Sequence, residues 1–277
     1  RGTYVKFEPS EANKDNIIGV VLCHIANSFD VGILTSIEKY ASQQGYSIIF
    51  KNTYDDIVLE EKHIEDLVSA GVKGMIIQPV HGEFYNEKLI KLHLRKFPVI
   101  LVDRHLYGFP IPAVATNNIA AIEDAVMHLF ENGHENIAFI CFDPTNTSTI
   151  DDRINGFKSA FLKNKKLITP SNILSTIKSP GNNRSEVWEE DLNRIKRYLE
   201  ENPQITAIIA SEYTVAKLVL QAISEMEKKI PDDYSFIMFD EADSIIDYKI
   251  THIRQNQEEL GRMALEILLK KINDEIT

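Results

Sequence analysis

Apolar runs and amphipathic segments alternate along almost the whole chain. The first apolar run covers residues 17–22, and a helical pattern follows at 30–44 and ends before Gly45. Further strands and helices are predicted in this half of the chain at residues 46–50, 58–70, 74–77, 84–94 and 98–102. Short apolar runs between amphipathic helices are typical of repeated βα units around a parallel sheet. The pattern therefore predicts one doubly wound parallel sheet with its helices in this half of the chain.

The same alternation begins again after a short extended piece at residues 113–115. The predicted elements of this second set lie at residues 119–132, 137–141, 151–163, 173–177, 188–200, 207–210, 215–228 and 235–239. A last extended piece at 250–253 precedes a helix at 257–272, which comes too late to be needed by the second sheet. We expect that helix to return to the first set.

This repetition predicts an α/β fold of two doubly wound parallel-sheet lobes with a ligand cleft between them. The first lobe is expected to comprise residues 17–115 together with 254–277, and the second lobe residues 116–253. Residues 1–16 are expected to be an N-terminal remnant and linker. In parallel sheets, ligands bind at the carboxyl ends of the strands, so loops from both lobes are expected to line one cleft.

Composition narrows the classes of partner. The net charge of −11 and the pI of about 5.3 disfavour direct binding to nucleic acid, so any DNA contact is expected from another module. Cys23 and Cys141 lie in or beside apolar runs and are expected to be reduced core thiols, as in the cytoplasm. No apolar run reaches the roughly 18 residues of a membrane span, and no signal peptide is recognisable after Arg1.

Polar residues that follow the predicted strands are the candidates for ligand binding. Carboxylates, amides and guanidinium groups suit a neutral, hydroxyl-rich ligand, and an aromatic face can cover the apolar side of a sugar ring. The candidates are Asn27, Phe29, Asp30, Tyr54, Asp55, Asp103, Arg104, Arg153, Ser211, Glu212 and Asp240. Taken singly, each polar member could be a solvated loop side chain or a helix N-cap, but Asp103, Arg153 and Asp240 are the better candidates because each lies in a recognisable motif.

The usual signatures of catalysis are missing from the sequence. The histidines have no metal-ligand spacing, and neither a glycine-rich phosphate loop nor a GxSxG nucleophile turn occurs. We therefore expect no catalytic residue, no metal and no cofactor. A glycosidase that uses paired carboxylates stays open as an alternative, because the separation of carboxylates cannot be read from a sequence.

Several ordered stretches resemble the LacI/GalR family of transcriptional repressors, whose effector domains share the type I periplasmic-binding-protein fold. Residues 18–21 and 27–29 look like that family's IGV strand and NPF turn, and Val102-Asp103-Arg104 looks like its (I/V)DR. Further matches are residues 72–77 with VDGIIL, 129–140 with LxxxGHxxIAFI, 153–157 with RxxG(F/Y), 206–210 with TAIFA, and 230–241 with IPEDVSVVGFDD. The resemblance covers nearly the whole chain from Ile17.

This resemblance implies ligand contacts at Asp103, Arg153, Asp240 and Gln255, the last in a stretch similar to the family's TT(I/V)RQ. Two departures fall where ligand selectivity is set. The family's usual Asn-Asp after TAIFA is Ser211-Glu212 here, and the second aromatic of its NPFF turn is Asp30. The ligand is therefore expected to differ from that of a close family relative.

The first five residues resemble the end of a GntR-type winged helix, G-x-GT(F/Y)V. Such a reader joined to a LacI-like domain is similar to the arabinose-type repressors of Gram-positive bacteria. The combination implies a cytoplasmic homodimeric repressor that senses L-arabinose or another pentose and binds DNA through a winged helix outside these residues. A secreted sugar-binding protein that feeds a transporter is the alternative with the same fold.

Overall fold

Two parallel β-sheets, each covered by helices, form the molecule in a computed structural model. The structure describes residues 16–25, 28–80, 85–143, 147–179, 184–241 and 250–275. Each sheet has five strands, and every strand pair in it is parallel. The predicted α/β architecture of two doubly wound lobes is confirmed.

The first sheet has the strand order β2-β1-β3-β4-β5. Its strands are β1 (Ile17–Leu22), β2 (Ser47–Asn52), β3 (Met75–Ile77), β4 (Val99–Val102) and β5 (Ala113–Val114). Helices α1 (Ser28–Gln43), α2 (Ile57–Ser69) and α3 (Glu87–Leu94) connect the first four strands. We call this sheet, with the helices packed on it, the first lobe.

The second sheet has the strand order β10-β9-β8-β6-β7. Its strands are β6 (Ile137–Phe142), β7 (Ile173–Ile177), β8 (Ala207–Ala210), β9 (Ser235–Phe239) and β10 (Thr251–Ile253). The helices around it are α4 (Asn118–Glu131), α5 (Ser148–Lys163), α6 (Ser185–Glu201) and α7 (Tyr213–Glu225). This sheet and its helices form the second lobe.

The last helix, α8 (Gln257–Ile272), packs on the first lobe. Its Leu265 and Leu268 share a buried cluster with Ile33 and Ile37 of α1. The hydroxyl of Ser36 donates a hydrogen bond of 2.6 Å to the backbone oxygen of Glu258, at the start of α8. The chain therefore crosses from the first lobe to the second after β5 and returns between β10 and α8.

Buried apolar side chains cover both faces of each sheet, as expected for parallel strands. Cys23 and Cys141 are buried free thiols, as predicted, and burial raises the pKa of both. Among the described residues, no helix is long and apolar enough to cross a membrane.

Helix starts differ from the sequence prediction where polar residues form the first turn. Helix α5 begins at Ser148 rather than at residue 151, and α6 begins at Ser185 rather than at 188. The apolar periodicity begins only after such a turn. Helix α3 begins at Glu87, because the Asn86 side chain accepts hydrogen bonds from the backbone nitrogens of Lys88 and Leu89.

Gly156 permits close packing of α4 against α5. A Cβ atom at this position would lie 2.4 Å from the backbone oxygen of Ile119, which cannot move without shifting α4. The glycine of the RxxG(F/Y) stretch is therefore required by packing between two helices.

We expect Gly156→Ala to lower the free energy of unfolding by about 1–3 kcal/mol, because the added methyl group overpacks this contact. Gly32→Ala is the matched control, since it also lies within a helix and its Cβ would meet only the side chain of Gln257. The control should change stability by less than about 1 kcal/mol. Urea denaturation followed by circular dichroism measures both, and equal stability of Gly156→Ala and wild type would contradict the packing role.

A buried carboxyl group on α2 ties together three segments of the first lobe. Glu60 is fully buried, and its carboxyl oxygens accept hydrogen bonds of 2.7 Å from the backbone nitrogen of Val80 and from Asn86 Nδ2. Burial raises the pKa of Glu60 to about 7, although these two donors oppose the shift. The folded state therefore holds a proton on Glu60 in a pH range where the unfolded chain has released it.

The free energy of unfolding should fall as pH rises towards 7. Over this range the unfolded chain has already released the proton of Glu60, whereas the folded chain still holds it, so a higher pH favours the unfolded state. Between pH 5 and pH 8 we expect Glu60 to contribute a loss of about 2 kcal/mol. Glu60→Gln cannot titrate, so its stability relative to wild type should improve by that amount over this range. Urea denaturation at each pH tests this, and a pH-independent difference would disprove it.

Candidate functional site

Two aspartates occupy matching positions at the carboxyl ends of the sheets. Asp103 follows β4 of the first lobe and Asp240 follows β9 of the second lobe. Both have left-handed backbone conformations, with φ values of 66° and 73°. Aspartate tolerates this conformation better than most residues, and such positions are frequent at functional sites. The strand-end positions that the sequence indicated are therefore the positions where the chain turns sharply.

A hydrogen-bonded chain holds Asp103 in the first lobe. Gln78 Nε2 donates to Asp103 Oδ2 at 3.0 Å, and Gln78 Oε1 accepts from the backbone nitrogen of Cys23 at 3.0 Å. Arg104 donates from Nη1 to the backbone oxygen of Pro79 at 3.1 Å, and its Nε lies 3.9 Å from Asp103 Oδ2. Asp103 is thus held by Gln78, which follows β3 and is itself anchored on the backbone after β1, and it faces the neighbouring Arg104.

Asp30 lies in the first turn of α1 and is only 5% exposed. Burial and the nearby Asp103 carboxylate together raise the pKa of Asp30 to about 7, against opposing effects of Arg104 and His24. Phe29, the neighbouring candidate, is also buried and packs in the apolar core beside α1. The structure thus brings Asp30, Asp103 and Arg104 into one electrostatic group.

Asp55 and Tyr54 follow β2 and have different environments. Asp55 Oδ2 pairs with His24 Nδ1 at 2.8 Å, and Asp55 Oδ1 lies 3.7 Å from Arg104 Nη1. The hydrogen bond that His24 donates to Asp55 raises the pKa of His24. Tyr54 is 70% exposed and has a positive φ of 53°. Asp55 therefore joins the first-lobe group, whereas Tyr54 lies on the surface.

Arg153 is the centre of the half of the candidate site that the second lobe provides. Its Nε donates to Asn118 Oδ1 at 2.9 Å, its Nη1 donates to the backbone oxygen of Ser211, and its guanidinium carbon lies 3.4 Å from the centre of the Phe239 ring. Burial lowers the pKa of Arg153, and the carboxylates of Asp240 and Asp103 oppose this shift. Since Asp103 belongs to the other lobe, the two halves of the site are within electrostatic reach of each other.

Ser211 and Glu212, which depart from the family pattern, have distinct roles. Glu212 is the N-cap of α7, and its carboxylate accepts from the backbone nitrogens of Thr214 and Val215 at 2.8 and 2.6 Å. Burial raises the pKa of Glu212. Ser211 is completely buried, and its hydroxyl has no hydrogen-bond partner among the described residues. Ser211 is thus the better ligand-binding candidate of the two.

Gln255 joins the two segments by which the chain passes between the lobes. Its Oε1 accepts from the hydroxyl of Thr116 after β5, and its Nε2 donates to Asp240 Oδ1, both at 2.6 Å. The side chain is buried. Burial raises the pKa of Asp240, and Arg153 and this hydrogen bond oppose the shift. Gln255 thus links Asp240 to the crossing segments.

Some residues of the site were missed by sequence reasoning. Asn118 and Thr116 follow β5, a two-residue strand whose end drew no attention in the sequence. Ser148 Oγ accepts from the backbone nitrogen of His105 at 3.0 Å, which is a contact between the lobes. The polar residues that follow the short extended piece at 113–115 were the sequence feature that could have indicated Thr116 and Asn118. The candidate Asn27 lies outside the described residues.

The assembled groups are suited to binding rather than to turnover. Carboxylates accept hydrogen bonds from hydroxyl groups, and amides both accept and donate them. Arg153 is held against the Phe239 ring. Within the described parts of the chain, no group of three or more histidine, cysteine or acidic side chains could hold a metal ion.

Known proteins are similar to this chain over most of its length. A family model of the periplasmic binding protein-like domain matches residues 126–277, more than half of the chain. The probable HTH-type transcriptional regulator EndR of Paenibacillus polymyxa is 29% identical over 94% of this chain and 74% of its own length. The arabinose metabolism transcriptional repressor of Geobacillus stearothermophilus is 26% identical over 98% of this chain and 74% of its own.

The fold also matches solved structures. A crystal structure of a putative ribose operon repressor from Burkholderia thailandensis superposes with a TM-score of 0.82, at 22% identity, over 95% of each chain. The curated relatives described above are transcriptional regulators and not enzymes. The chain belongs to the periplasmic binding protein-like domain family and is the effector domain of a LacI/GalR-type transcriptional repressor.

Proposed function

We propose that this effector domain binds an uncharged sugar between its two lobes, with Asp103 on one side and Arg153 and Asp240 on the other. The observation that carries the proposal is the closeness of the two lobes at this edge, where the backbone nitrogen of His105 donates a hydrogen bond of 3.0 Å to Ser148 Oγ and Asp103 interacts electrostatically with both Arg153 and Asp240. A small molecule placed between them can contact both lobes at once. Asn118 and Phe239 hold the Arg153 side chain in place before the ligand arrives.

A pentose is the proposed ligand class, and L-arabinose is the first candidate. The support is the relation to the arabinose metabolism repressor, together with a site rich in groups that recognise vicinal hydroxyls. The buried, unpartnered hydroxyl of Ser211 fits the same class, because a sugar hydroxyl can supply its missing partner.

Control of DNA binding is proposed to follow from a change in the angle between the lobes. Residues 17–115 with 254–277 and residues 116–253 are taken as the two moving bodies, and Gln255 lies where they are connected. A ligand shifts this equilibrium only through its different affinities for the two arrangements. We propose that the protein is a cytoplasmic homodimer and that a GntR-type winged helix outside these residues binds the operator.

Two other functions are compatible with the sequence, and one observation distinguishes each of them from a sugar sensor. A sugar-binding protein of a transporter would carry a secretion leader instead of a DNA-binding module. A glycosidase would turn over candidate sugars with a pH profile set by two carboxylates. The regulator class of the relatives favours the sensor over both.

We predict that Arg153→Ala and Asp240→Asn each weaken sugar binding by roughly ten- to a hundredfold, the range expected for losing a hydrogen bond to a charged group. A thermal-shift screen over pentoses, hexoses and their phosphates first identifies the sugar, because a ligand of the folded state raises its melting temperature. Isothermal titration calorimetry with that sugar then measures both variants.

Arg197→Ala and Asp232→Asn are the matched controls, since both residues are exposed and lie outside the site. They should bind as wild type does. Unchanged affinity of both Arg153→Ala and Asp240→Asn would overturn the assignment of the site, and circular dichroism checks that each variant is folded.

A further inference from the structure

The ionisable groups of the proposed site carry an excess of negative charge. Asp30, Asp103, Asp240 and Glu212 are carboxylates, whereas Arg104 and Arg153 are the guanidinium groups among them. The imbalance is greatest in the first lobe, where Asp30 and Asp103 are both buried and interact electrostatically. An anion that enters this half meets two carboxylates within a region of low dielectric constant.

Both arginines are already engaged by the protein. Arg153 donates to Asn118 and to the backbone oxygen of Ser211. Arg104 donates from Nη1 to Pro79 and to the sulfur of Cys23, and it faces the carboxylates of Asp55 and Asp103. A phosphate group would have to compete with these partners, whereas phosphate sites normally offer arginine forks for bidentate contact.

Hydroxyl groups suit the same half of the site. A carboxylate only accepts hydrogen bonds, so its complement is a donor such as a sugar hydroxyl, and a phosphate dianion has no proton to give. In the second lobe, the unpartnered and completely buried Ser211 hydroxyl independently indicates a polar ligand that can accept or donate a hydrogen bond.

We propose that Asp30, acting with Asp103, is a specificity-determining residue that admits uncharged sugars and excludes their phosphate esters. This inference rests on the proposed function, because it concerns the same site. Asp30 occupies the place of the second aromatic in the family's NPFF turn, where a ring would carry no charge.

The ionisation of Asp30 gives this selectivity a pH dependence. The charged and titratable groups that face Asp30 are Asp103, Arg104 and His24, and Gln78 donates a hydrogen bond to it. With its pKa raised to about 7 by burial, Asp30 is mostly charged at pH 8 and mostly protonated at pH 6. Exclusion of anions should therefore be stronger at pH 8, and a protonated His24 at lower pH acts in the same direction.

The test measures affinities of the domain by calorimetry for D-ribose, L-arabinose and D-glucose, and for D-ribose 5-phosphate, D-glucose 6-phosphate and D-glucose 6-sulfate. Wild type, Asp30→Asn and the control Asp66→Asn are compared at pH 8. Asp66 is an exposed carboxylate on α2 of the same lobe, so its replacement removes the same charge away from the site. Melting temperatures without sugar establish that each variant is folded.

For wild type, we expect each phosphate or sulfate ester to bind at least about tenfold more weakly than its parent sugar. Asp30→Asn should reduce this ratio of dissociation constants, ester to sugar, by about tenfold. Asp66→Asn should keep the wild-type ratio. The sulfate ester keeps its charge at every pH used, so a smaller ratio for wild type at pH 6 than at pH 8 supports the proposal without any variant.

Equal binding of ester and parent sugar by wild type would overturn the proposal and leave the sugar-sensing function intact. An unchanged ratio in folded Asp30→Asn would also overturn it, because exclusion would then be steric. If neither the sugars nor their esters bind, the proposed function fails and this inference fails with it.

Discussion

The buried guanidinium group of Arg153 is the interaction on which the site of this domain depends. A cation inside a protein is costly unless hydrogen bonds and opposite charges compensate it. Here Asn118, the backbone oxygen of Ser211 and the Phe239 ring provide that compensation. These partners come from the start of α4 and the ends of β8 and β9. One side chain therefore fixes the relative positions of three loops at the carboxyl edge of the second sheet.

The first lobe places a negatively charged side chain, Asp103, near this edge of the second sheet. Asp103 is held by Gln78 and faces Arg104, and its field reaches both Arg153 and Asp240 across the cleft. Gln255 connects Asp240 to Thr116, so the acidic group of the second lobe is joined directly to the segments that pass between the lobes. A ligand that changes the environment of Asp240 would act on the part of the chain where we propose that the lobes rotate.

The fold was predictable because buried parallel strands appear in a sequence as short apolar runs, and the periodicity of the helices separates them. The positions of Asp103 and Asp240 at strand ends and of Arg153 in a helix were also predictable, since each lies in a stretch that resembles the repressor family, and their contact with a ligand stays a prediction. The residues that form hydrogen bonds with the side chains of the site were not predictable. Asn118, 35 residues before Arg153, and Thr116, 139 residues before Gln255, are brought to the site only by the tertiary fold. Glu212 caps α7 by accepting hydrogen bonds from the backbone nitrogens of Thr214 and Val215, which is one of the roles that the sequence had left open for it, and its contact with a ligand stays a prediction.

A crystal structure of the domain with the sugar that most raises its melting temperature tests the central claim most directly. Our account predicts the sugar between the lobes, with its hydroxyls within hydrogen-bond distance of Asp103 on one side and of Asp240 and Arg153 on the other. A sugar that contacts only one lobe would contradict it. So would a sugar bound elsewhere, such as in the surface pocket of the second lobe that Thr169 and Asn172 line.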